Sequence, residues 1–197
     1  NILIQSGVLE PALQEITRVT ATALGVQRCS IWLLRDDHSA ILCKDLYDSS
    51  AAGHSSGIEL QAKQFPAYFR ELLTERVIDA SDARTDPRTS EFSDAYMIPL
   101  GIGAMLDTPI RFNGKLVGVL CSEHVGAPRP WLLEEQQFCY AIASLVSLAL
   151  EAVERLNAEG ALRKSEARTR LIIDTALSSV ISMDEQGCII GWNAQAE

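Results

Sequence analysis

An Asn-Gly dipeptide between two apolar runs constrains the fold of this chain more than any other feature. Asn113 and Gly114 separate the runs 104–112 and 115–125. Asn-Gly favours a two-residue hairpin turn, because both turn positions need a positive φ that these residues adopt at low cost. The sequence therefore predicts two long antiparallel strands, and such a sheet needs a further layer to cover its apolar face.

The two faces of the second strand differ in character. Val117, Val119 and Cys121 form an apolar face, whereas the alternate face becomes polar towards Ser122 and His124. We expect the apolar face to pack on helices. The mixed face is expected either to line a cavity or to form ordinary core, and the sequence leaves these alternatives equally open.

An earlier strand is predicted at 28–35 and shows a similar alternation. Ile31 and Leu33 fall on one of its faces, and Trp32 and Leu34 fall on the other. Because side chains alternate along a strand, Trp32 and Leu34 belong to the candidate cavity face. Further strands are predicted at 40–47 and 77–79, short helices at 65–73 and 92–98, and a loop at 48–57.

Composition and charge narrow the classes of function. The 197 residues carry a formal charge of −9, from 17 basic and 26 acidic side chains, which disfavours non-specific nucleic-acid binding. The five cysteines show neither a CxxC motif nor a metal-ligand spacing, a pattern typical of a reducing compartment. The longest apolar stretch, 138–150, is too short to span a bilayer. We therefore expect a cytoplasmic protein without a metal site, nucleic-acid partner or membrane contact.

Two long helices are expected to flank the sheet. Apolar residues recur at helical spacing over 8–24, and a second helix is predicted from about 131 to 157. The second helix carries two apolar stripes, which is more than one sheet contact requires. The extra stripe predicts a partner helix, most simply its twin in a parallel homodimer; packing against the first helix, or both as a four-helix bundle, stays open. The residues predicted for the dimer helices are Leu9, Leu13, Leu145, Ala149, Ala152 and Leu156.

The C-terminal part is predicted to form a separate unit. Poor helix formers at 157–160 interrupt the apolar stripe, so a helical linker is expected over 157–170. Beyond it, strands at 180–183 and 188–192 flank a turn. Two strands cannot bury a core, so 171–197 is interpreted as the truncated start of a further domain.

No catalytic motif accompanies these elements. His38 and His54 fall in polar loops, and a lone histidine such as His124 is more often packed than ligating. No serine has a GxSxG context, and no phosphate-binding glycine loop follows a strand. We therefore expect that this segment is not an enzyme.

The chain from Leu9 to about Ala152 resembles a GAF domain, a regulatory fold common in bacterial signalling proteins. The residues that carry the resemblance are Asp86-Pro87-Arg88, Leu100-Gly101-Ile102, Pro109-Ile110, 114–120 and 129–138. The resemblance implies an α+β fold over 1–156: a GAF-like antiparallel sheet in strand order 2-1-5-4-3, terminal helices packed on one face, and a long C-terminal signalling helix. A ligand pocket is implied on the other face, and its candidate residues are Trp32, Leu34, Phe92, Tyr96, Met105, Asp107, Leu120, Ser122 and His124.

The segment 171–197 resembles the opening of a PAS domain. The matching residues are Ile181, Asp184, Gly187, Ile189, Trp192, Asn193 and Glu197. A GAF–PAS order implies a sensory segment of a bacterial sensor histidine kinase that relays the state of a ligand or partner through paired helices. Two alternatives stay open: the same segment of a diguanylate cyclase or phosphodiesterase, and a ligand-free dimerisation spacer.

Departures from the family pattern limit the ligands that are expected. Bilin-binding GAF domains carry a Cys followed by a His, whereas Tyr96-Met97-Ile98-Pro99 offers no thiol in the comparable region. The Asn-Lys…Phe…Asp-Glu set of cyclic-nucleotide GAF domains is not found, so neither a covalent bilin nor a cyclic nucleotide is expected and the cofactor stays unknown. Relatives often place Trp-Thr at the start of the final helix, whereas this chain has Trp131-Leu132, so another group must cap that helix.

Overall fold

A computed structural model describes residues 9–51, 53–74 and 77–196. The chain divides into two compact units, Asn1–Val153 and Glu154–Glu197, and the division falls within its longest helix. The α-helices of the described residues are α1 (Glu10–Leu24), α2 (Pro66–Thr74), the single-turn α3 (Ile98–Leu100) and α4 (Leu133–Thr175). Residue 8, where the first helix was predicted to begin, lies outside the described residues.

An antiparallel sheet forms the centre of the first unit. Its strands are β1 (Arg28–Leu34), β2 (Ala40–Asp48), β3 (Gly53–Ser55), β4 (Glu59–Gln61), β5 (Ile78–Ala80), β6 (Ile102–Phe112) and β7 (Lys115–Val125). The five main strands lie in the order β2-β1-β7-β6-β5, which confirms the predicted order 2-1-5-4-3. The short strands β3 and β4 both pair with β2, and neither was predicted.

The turn between β6 and β7 has the conformation that its sequence predicts. Asn113 and Gly114 have φ angles of 49° and 76°, so both adopt the left-handed values that a type I′ hairpin requires. The hairpin brings the two longest strands together along most of their length. The local signal in the sequence was therefore sufficient to identify this element.

A β-bulge near the start of β7 changes which of its side chains share a face. The pairing with β6 shifts by one residue, so that Gly118 lies opposite Ile110. A Cβ added at Gly118 would lie 2.2 Å from the carbonyl oxygen of Trp32, so only glycine fits there. As a result Val117 packs on the helix-covered side of the sheet, whereas Val119 packs on the opposite side.

Helices α1 and α4 cover one face of the sheet, as predicted. Leu9 and Leu13 lie in the core between α1, the sheet and α4, and are only 6% and 2% exposed. Their prediction as dimer-helix residues is contradicted, because α1 uses its apolar stripe within the chain. In contrast, the other predicted dimer residues leave apolar surface uncovered: Leu145 and Leu156 are 55% and 63% exposed, Ala152 is exposed and Ala149 is half-buried.

A glutamate caps helix α4 in place of the missing threonine. The Glu135 carboxylate accepts a hydrogen bond of 2.8 Å from the backbone N–H of Leu132, which is the reciprocal half of a capping box. Arg129 donates to the same carboxylate at 2.9 and 3.1 Å and stacks 4.0 Å from the Trp131 ring centroid. The expectation that a different group caps this helix is confirmed.

Helix α4 continues past the predicted boundary near residue 157 and ends at Thr175. Gly160 lies inside it and does not interrupt it. An 18-residue stretch of α4 has a mean hydropathy of 1.3, so by length and composition alone the helix could cross a membrane. A helix that packs on a sheet passes the same test, and Cys139, Val146 and Leu150 of α4 are buried in that way.

The second unit contains the hairpin of β8 (Ile181–Met183) and β9 (Ile189–Trp192). Asn193 follows β9 and is almost fully buried. Its side-chain oxygen accepts from the Val180 N–H at 2.9 Å, and its amide donates to the carbonyl oxygens of Ile173 and Ser178, both at 3.0 Å. The identity of 171–197 as the start of a PAS domain stays a prediction.

Candidate functional site

A cavity of about 260 Å³ lies on the face of the sheet opposite α1 and α4. Helix α2 and the helical segments Ser90–Phe92 and Ser93–Met97 contribute to its walls, together with β1, β2, β4, β6 and β7. Its volume is just below the range of about 300–1,000 Å³ that is typical of ligand sites, which favours a small ligand. The lining residues are Trp32, Ile41, Ile58, Leu60, Phe65, Tyr68, Phe92, Ala95, Tyr96, Met105, Asp107, Cys121 and Glu123.

Aromatic side chains form much of the cavity wall. The Phe65 and Phe92 rings stack with centroids 4.2 Å apart, and Tyr68 meets Phe92 edge-on at 4.9 Å. The Glu91 carboxylate fixes this arrangement, because it accepts hydrogen bonds from the N–H groups of Ala67 and Tyr68 at the start of α2. The helical segment that carries Phe92 is thereby tied to the helix that carries Tyr68.

A buried carboxyl group lies at the polar end of the cavity. The Tyr68 hydroxyl donates to Oδ2 of Asp107 at 2.5 Å, whereas Oδ1 has no hydrogen-bond partner within the described part of the chain. Asp107 is 1% exposed, and burial raises its pKa to about 7. The hydroxyl of Tyr68 and the thiol of Cys121 partly counteract that rise. The Cys121 thiol, a weak donor, lies 3.8 Å from Glu123 Oε1 and donates to that carboxylate, so Oδ1 of Asp107 is left without a hydrogen bond among the described residues.

A second buried carboxylate is held by an arginine. Arg28 Nε donates to Glu123 Oε2 at 2.8 Å, and the same guanidinium donates to Asp48 and, at 3.1 Å, to the Tyr96 hydroxyl. Tyr96 in turn donates to Glu123 at 3.1 Å. Burial raises the pKa of Glu123, and the charge of Arg28 opposes that rise. This network joins the cavity wall at Tyr96 to strands β1 and β7.

The structure brings together five of the nine pocket candidates. Trp32, Phe92, Tyr96, Met105 and Asp107 line the cavity. Leu34 packs in the same apolar cluster without lining the cavity. Whether any of these residues contacts a ligand stays a prediction.

Leu120, Ser122 and His124 lie on the other face, so the predicted faces of this strand were wrong. Leu120 packs in the cluster under α1 and α4, and the Ser122 hydroxyl is 4.0 Å from Sγ of Cys139 on α4. His124 pairs with Ala104, which is part of the same cluster, and burial followed by the charge of Arg129 lowers the His124 pKa. The prediction failed because the walls of an apolar cavity have the same composition as ordinary core.

None of the other eight lining residues was predicted from the sequence. For Cys121 and Glu123 a signal was available, because strands paired in register place Asp107 opposite Cys121 and Met105 opposite Glu123. Phe65 lies just before α2 and Tyr68 lies within it, both distant in sequence from the strands that line the cavity, and no local pattern assigns them to it. Within the ranges that the structure describes, no three His, Cys, Asp or Glu side chains form a group suited to a metal ion.

Comparison with known proteins identifies the fold and the family. The profile of the GAF domain family matches residues 8–150. One curated relative, an uncharacterized protein from Azorhizobium caulinodans, is 32% identical over 97 residues, which are 49% of this chain and 12% of the relative. The chain therefore spans only a small part of that relative's length.

Solved structures support the same fold. The blue-light-absorbing form of the PixJ GAF domain from Thermosynechococcus elongatus aligns with a TM-score of 0.65 and 18% identity, over 77% of this chain and 90% of that chain. The GAF domain of an Acinetobacter phosphoenolpyruvate-protein phosphotransferase aligns with a TM-score of 0.58 and 18% identity, over 78% and 89%. A bacteriophytochrome from R. palustris aligns with a TM-score of 0.67 and 17% identity, over 90% of this chain and 41% of that chain. At these identities the likeness concerns the fold.

Proposed function

Because the chain belongs to the GAF family, we propose that it is the sensory segment of a bacterial signal-transduction protein and that its cavity binds a small regulatory ligand. The observation that carries this proposal is the cavity itself, with aromatic walls and the underbonded Asp107 carboxyl at its polar end. Concave, mostly apolar sites with a few placed polar groups are typical of ligand binding. No nucleophile–base pair was evident in the sequence, so the proposed role of this segment is binding and not catalysis.

The ligand is proposed to bind without a covalent bond. Two of the solved neighbours are a blue-light-absorbing PixJ domain and a bacteriophytochrome, but Tyr96 and its neighbours offer no thiol in the region where bilin-binding relatives carry one. Among the described residues that line the cavity, Cys121 is the one thiol, and burial raises its pKa far above the ordinary value. A thiol that stays protonated is a poor nucleophile.

The signal is proposed to pass along α4 in a parallel homodimer. Leu145, Ala152 and Leu156 leave an apolar stripe of α4 exposed within the chain, and such a stripe is typical of a helix that packs on a twin. A ligand that favours one arrangement of the paired helices shifts the population of that arrangement. The start of a PAS domain is proposed to receive the change.

The parent protein is proposed to be a cytoplasmic sensor histidine kinase, with no nucleic-acid or membrane contact by this segment. The support is the GAF–PAS order suggested by the sequence, together with the net charge of −9. Incubation of the full-length protein with labelled ATP is expected to yield a phosphorylated histidine. Turnover of GTP to a cyclic dinucleotide, or hydrolysis of one, would identify the alternative output instead.

A cavity-filling variant tests the ligand proposal against the spacer alternative. Cys121→Leu places a larger side chain at the cavity wall, and Cys188→Leu makes the same change at an exposed position in the second unit. In a thermal-shift screen of small molecules, some compounds are expected to stabilise the wild type and Cys188→Leu but not Cys121→Leu. Stabilisation of all three proteins by the same compounds would mean that the cavity is not the site.

A further inference from the structure

The charged groups around the cavity are predominantly acidic. Asp107 and Glu123 are lining residues, and no Lys, Arg or His is found among the described residues that line the cavity. Arg28 lies behind Glu123, where its charge is shared between the Glu123 and Asp48 carboxylates. The site therefore has no uncompensated positive charge for an anionic ligand and an excess of negative charge for a cationic one.

The Asp107 carboxyl lacks one hydrogen bond that a ligand can supply. Oδ2 already accepts from Tyr68, while Oδ1 of this lining residue is buried without a partner within the described residues. Buried acceptors are nearly always hydrogen-bonded in folded proteins. A molecule in the cavity that carries an N–H donor would remove this deficit.

The aromatic walls suit the body of a cationic ligand. Side chains of Trp32, Phe65, Tyr68, Phe92 and Tyr96 line the cavity. Aromatic faces attract a cation through their quadrupole, and the attraction is strongest where water is excluded. The same faces bury the apolar or aromatic body of a ligand.

On the basis of the proposed ligand-binding function, we propose that the ligand is a small protonated amine with an apolar or aromatic body, and that its ammonium group donates a hydrogen bond to Asp107. Anions would face both Asp107 and Glu123, and no cationic side chain is among the described residues that line the cavity. A neutral alcohol could donate to Oδ1 as well, but it would not gain from the negative charge of the site. The ammonium group is therefore the recognition element, and the aromatic walls select for an apolar body.

The ionisation of Asp107 makes binding depend on pH. Asp107 is faced by Tyr68 from α2 and by Cys121 and Glu123 from β7, and its pKa of about 7 results mainly from burial. Glu123 is itself held by Arg28 and Tyr96. An alkylamine stays protonated across this range, as a lysine side chain does with its pKa of about 10.4. Amine affinity is therefore expected to rise about tenfold from pH 6 to pH 8, as Asp107 loses its proton.

Three probes that share one carbon skeleton test the proposal by isothermal titration calorimetry at pH 8. They are 2-phenylethylamine, which is a cation, 2-phenylethanol, which is a neutral donor, and phenylacetate, which is an anion. The amine is expected to bind the wild type at least tenfold more tightly than the alcohol, and the anion is expected to bind most weakly. The amine titration is repeated at pH 6 to test the expected loss of affinity.

A matched pair of variants assigns the preference to one carboxyl group. Asp107→Asn removes the buried charge, and Asp94→Asn makes the same change at an exposed position of the helical segment Ser93–Met97. Asp107→Asn is expected to abolish the advantage of the amine while binding of 2-phenylethanol changes less than threefold, which also shows that the cavity is intact. Asp94→Asn is expected to bind all three probes as the wild type does. If Asp107→Asn does not fold, the pH dependence of the wild type still decides the matter.

The possible outcomes separate the two proposals. Binding of 2-phenylethanol or phenylacetate as tight as that of the amine overturns the amine proposal and leaves the cavity as a ligand site. An amine affinity that is unchanged between pH 6 and pH 8 also overturns the amine proposal. Failure of all three probes to bind overturns the amine proposal and counts against a ligand-binding cavity of this character.

Discussion

Asp107 of β6 lies directly opposite Cys121 of β7, and both side chains line the cavity. The pairing fixes the rest of the site, because cross-strand neighbours share a face and the alternation then places Glu123 on that face too. A shift of one residue would exchange these groups for Leu120 and Ser122, which pack under the helices instead. The chemistry of the cavity therefore depends on strand register.

The raised pKa of Asp107 predicts a pH-dependent stability difference between the wild type and Asp107→Asn. Because the folded-state pKa of about 7 exceeds the ordinary value of 3.8, the folded wild type binds more protons than the unfolded chain between these values. The stabilisation that proton binding by Asp107 gives to the folded state is therefore lost as the pH rises from 3.8 through about 7. Relative to Asp107→Asn, the wild type is expected to lose about 2 kcal/mol of unfolding free energy between pH 5.5 and pH 8.

Urea unfolding of both proteins at a series of pH values measures this difference. Other titrating groups are common to the two proteins, so their effects cancel in the comparison. A difference that stays constant with pH would show that the pKa of Asp107 is not raised in the folded state.

The ion pair between Arg28 and Glu123 predicts a large single-variant effect and a partial rescue. Arg28→Met leaves the Glu123 carboxylate buried without its charged partner. The variant is therefore expected to lose about 3–5 kcal/mol of unfolding free energy. Adding Glu123→Gln removes the uncompensated charge, so the double variant is expected to be more stable than Arg28→Met alone. Arg18→Met, which breaks the exposed pair with Glu15, is the control and is expected to leave the urea midpoint nearly unchanged, because water screens exposed ion pairs. Additive effects of the two substitutions in urea unfolding would contradict the coupling.

Two adjacent leucines of α2 predict opposite outcomes for the same substitution. Leu72 is fully buried in the cluster around the cavity, whereas Leu73 is 46% exposed. Leu72→Ala is expected to lower the free energy of unfolding by about 2–5 kcal/mol, because it removes buried methyl groups and leaves a void. Leu73→Ala is expected to stay within about 0.5 kcal/mol of the wild type. Similar urea midpoints for the two variants would contradict the position of α2 on the sheet.

The sequence predicted elements that depend on local signals and failed where distant segments meet. Asn113 and Gly114 fixed the hairpin because the turn itself requires their φ values. The faces of β7 were assigned wrongly for two reasons. The sequence does not reveal the bulge at the start of the strand, and the walls of an apolar cavity have the same composition as ordinary core. Leu13 was predicted at a dimer interface, whereas it packs in the core of the chain. An apolar stripe indicates that a helix face is covered, but it does not identify the surface that covers it.

The exposed stripe on α4 predicts that one charge abolishes dimer formation. Leu145→Asp places a carboxylate in the proposed interface, and burial of an unpaired charge there is costly. Leu73→Asp, on the exposed side of α2, is the matched control. In sedimentation velocity the wild type and the control are expected to be dimers and Leu145→Asp a monomer. Dimers of all three proteins would place the interface elsewhere.

A native mass spectrum of the purified protein is the first measurement to make, because it reports both the oligomeric state and any retained ligand. We expect a dimer that carries additional non-covalent mass, and we expect Cys121→Leu to form the same dimer without that mass. Monomers of bare chain mass for both proteins would contradict a ligand-sensing module that signals through paired helices.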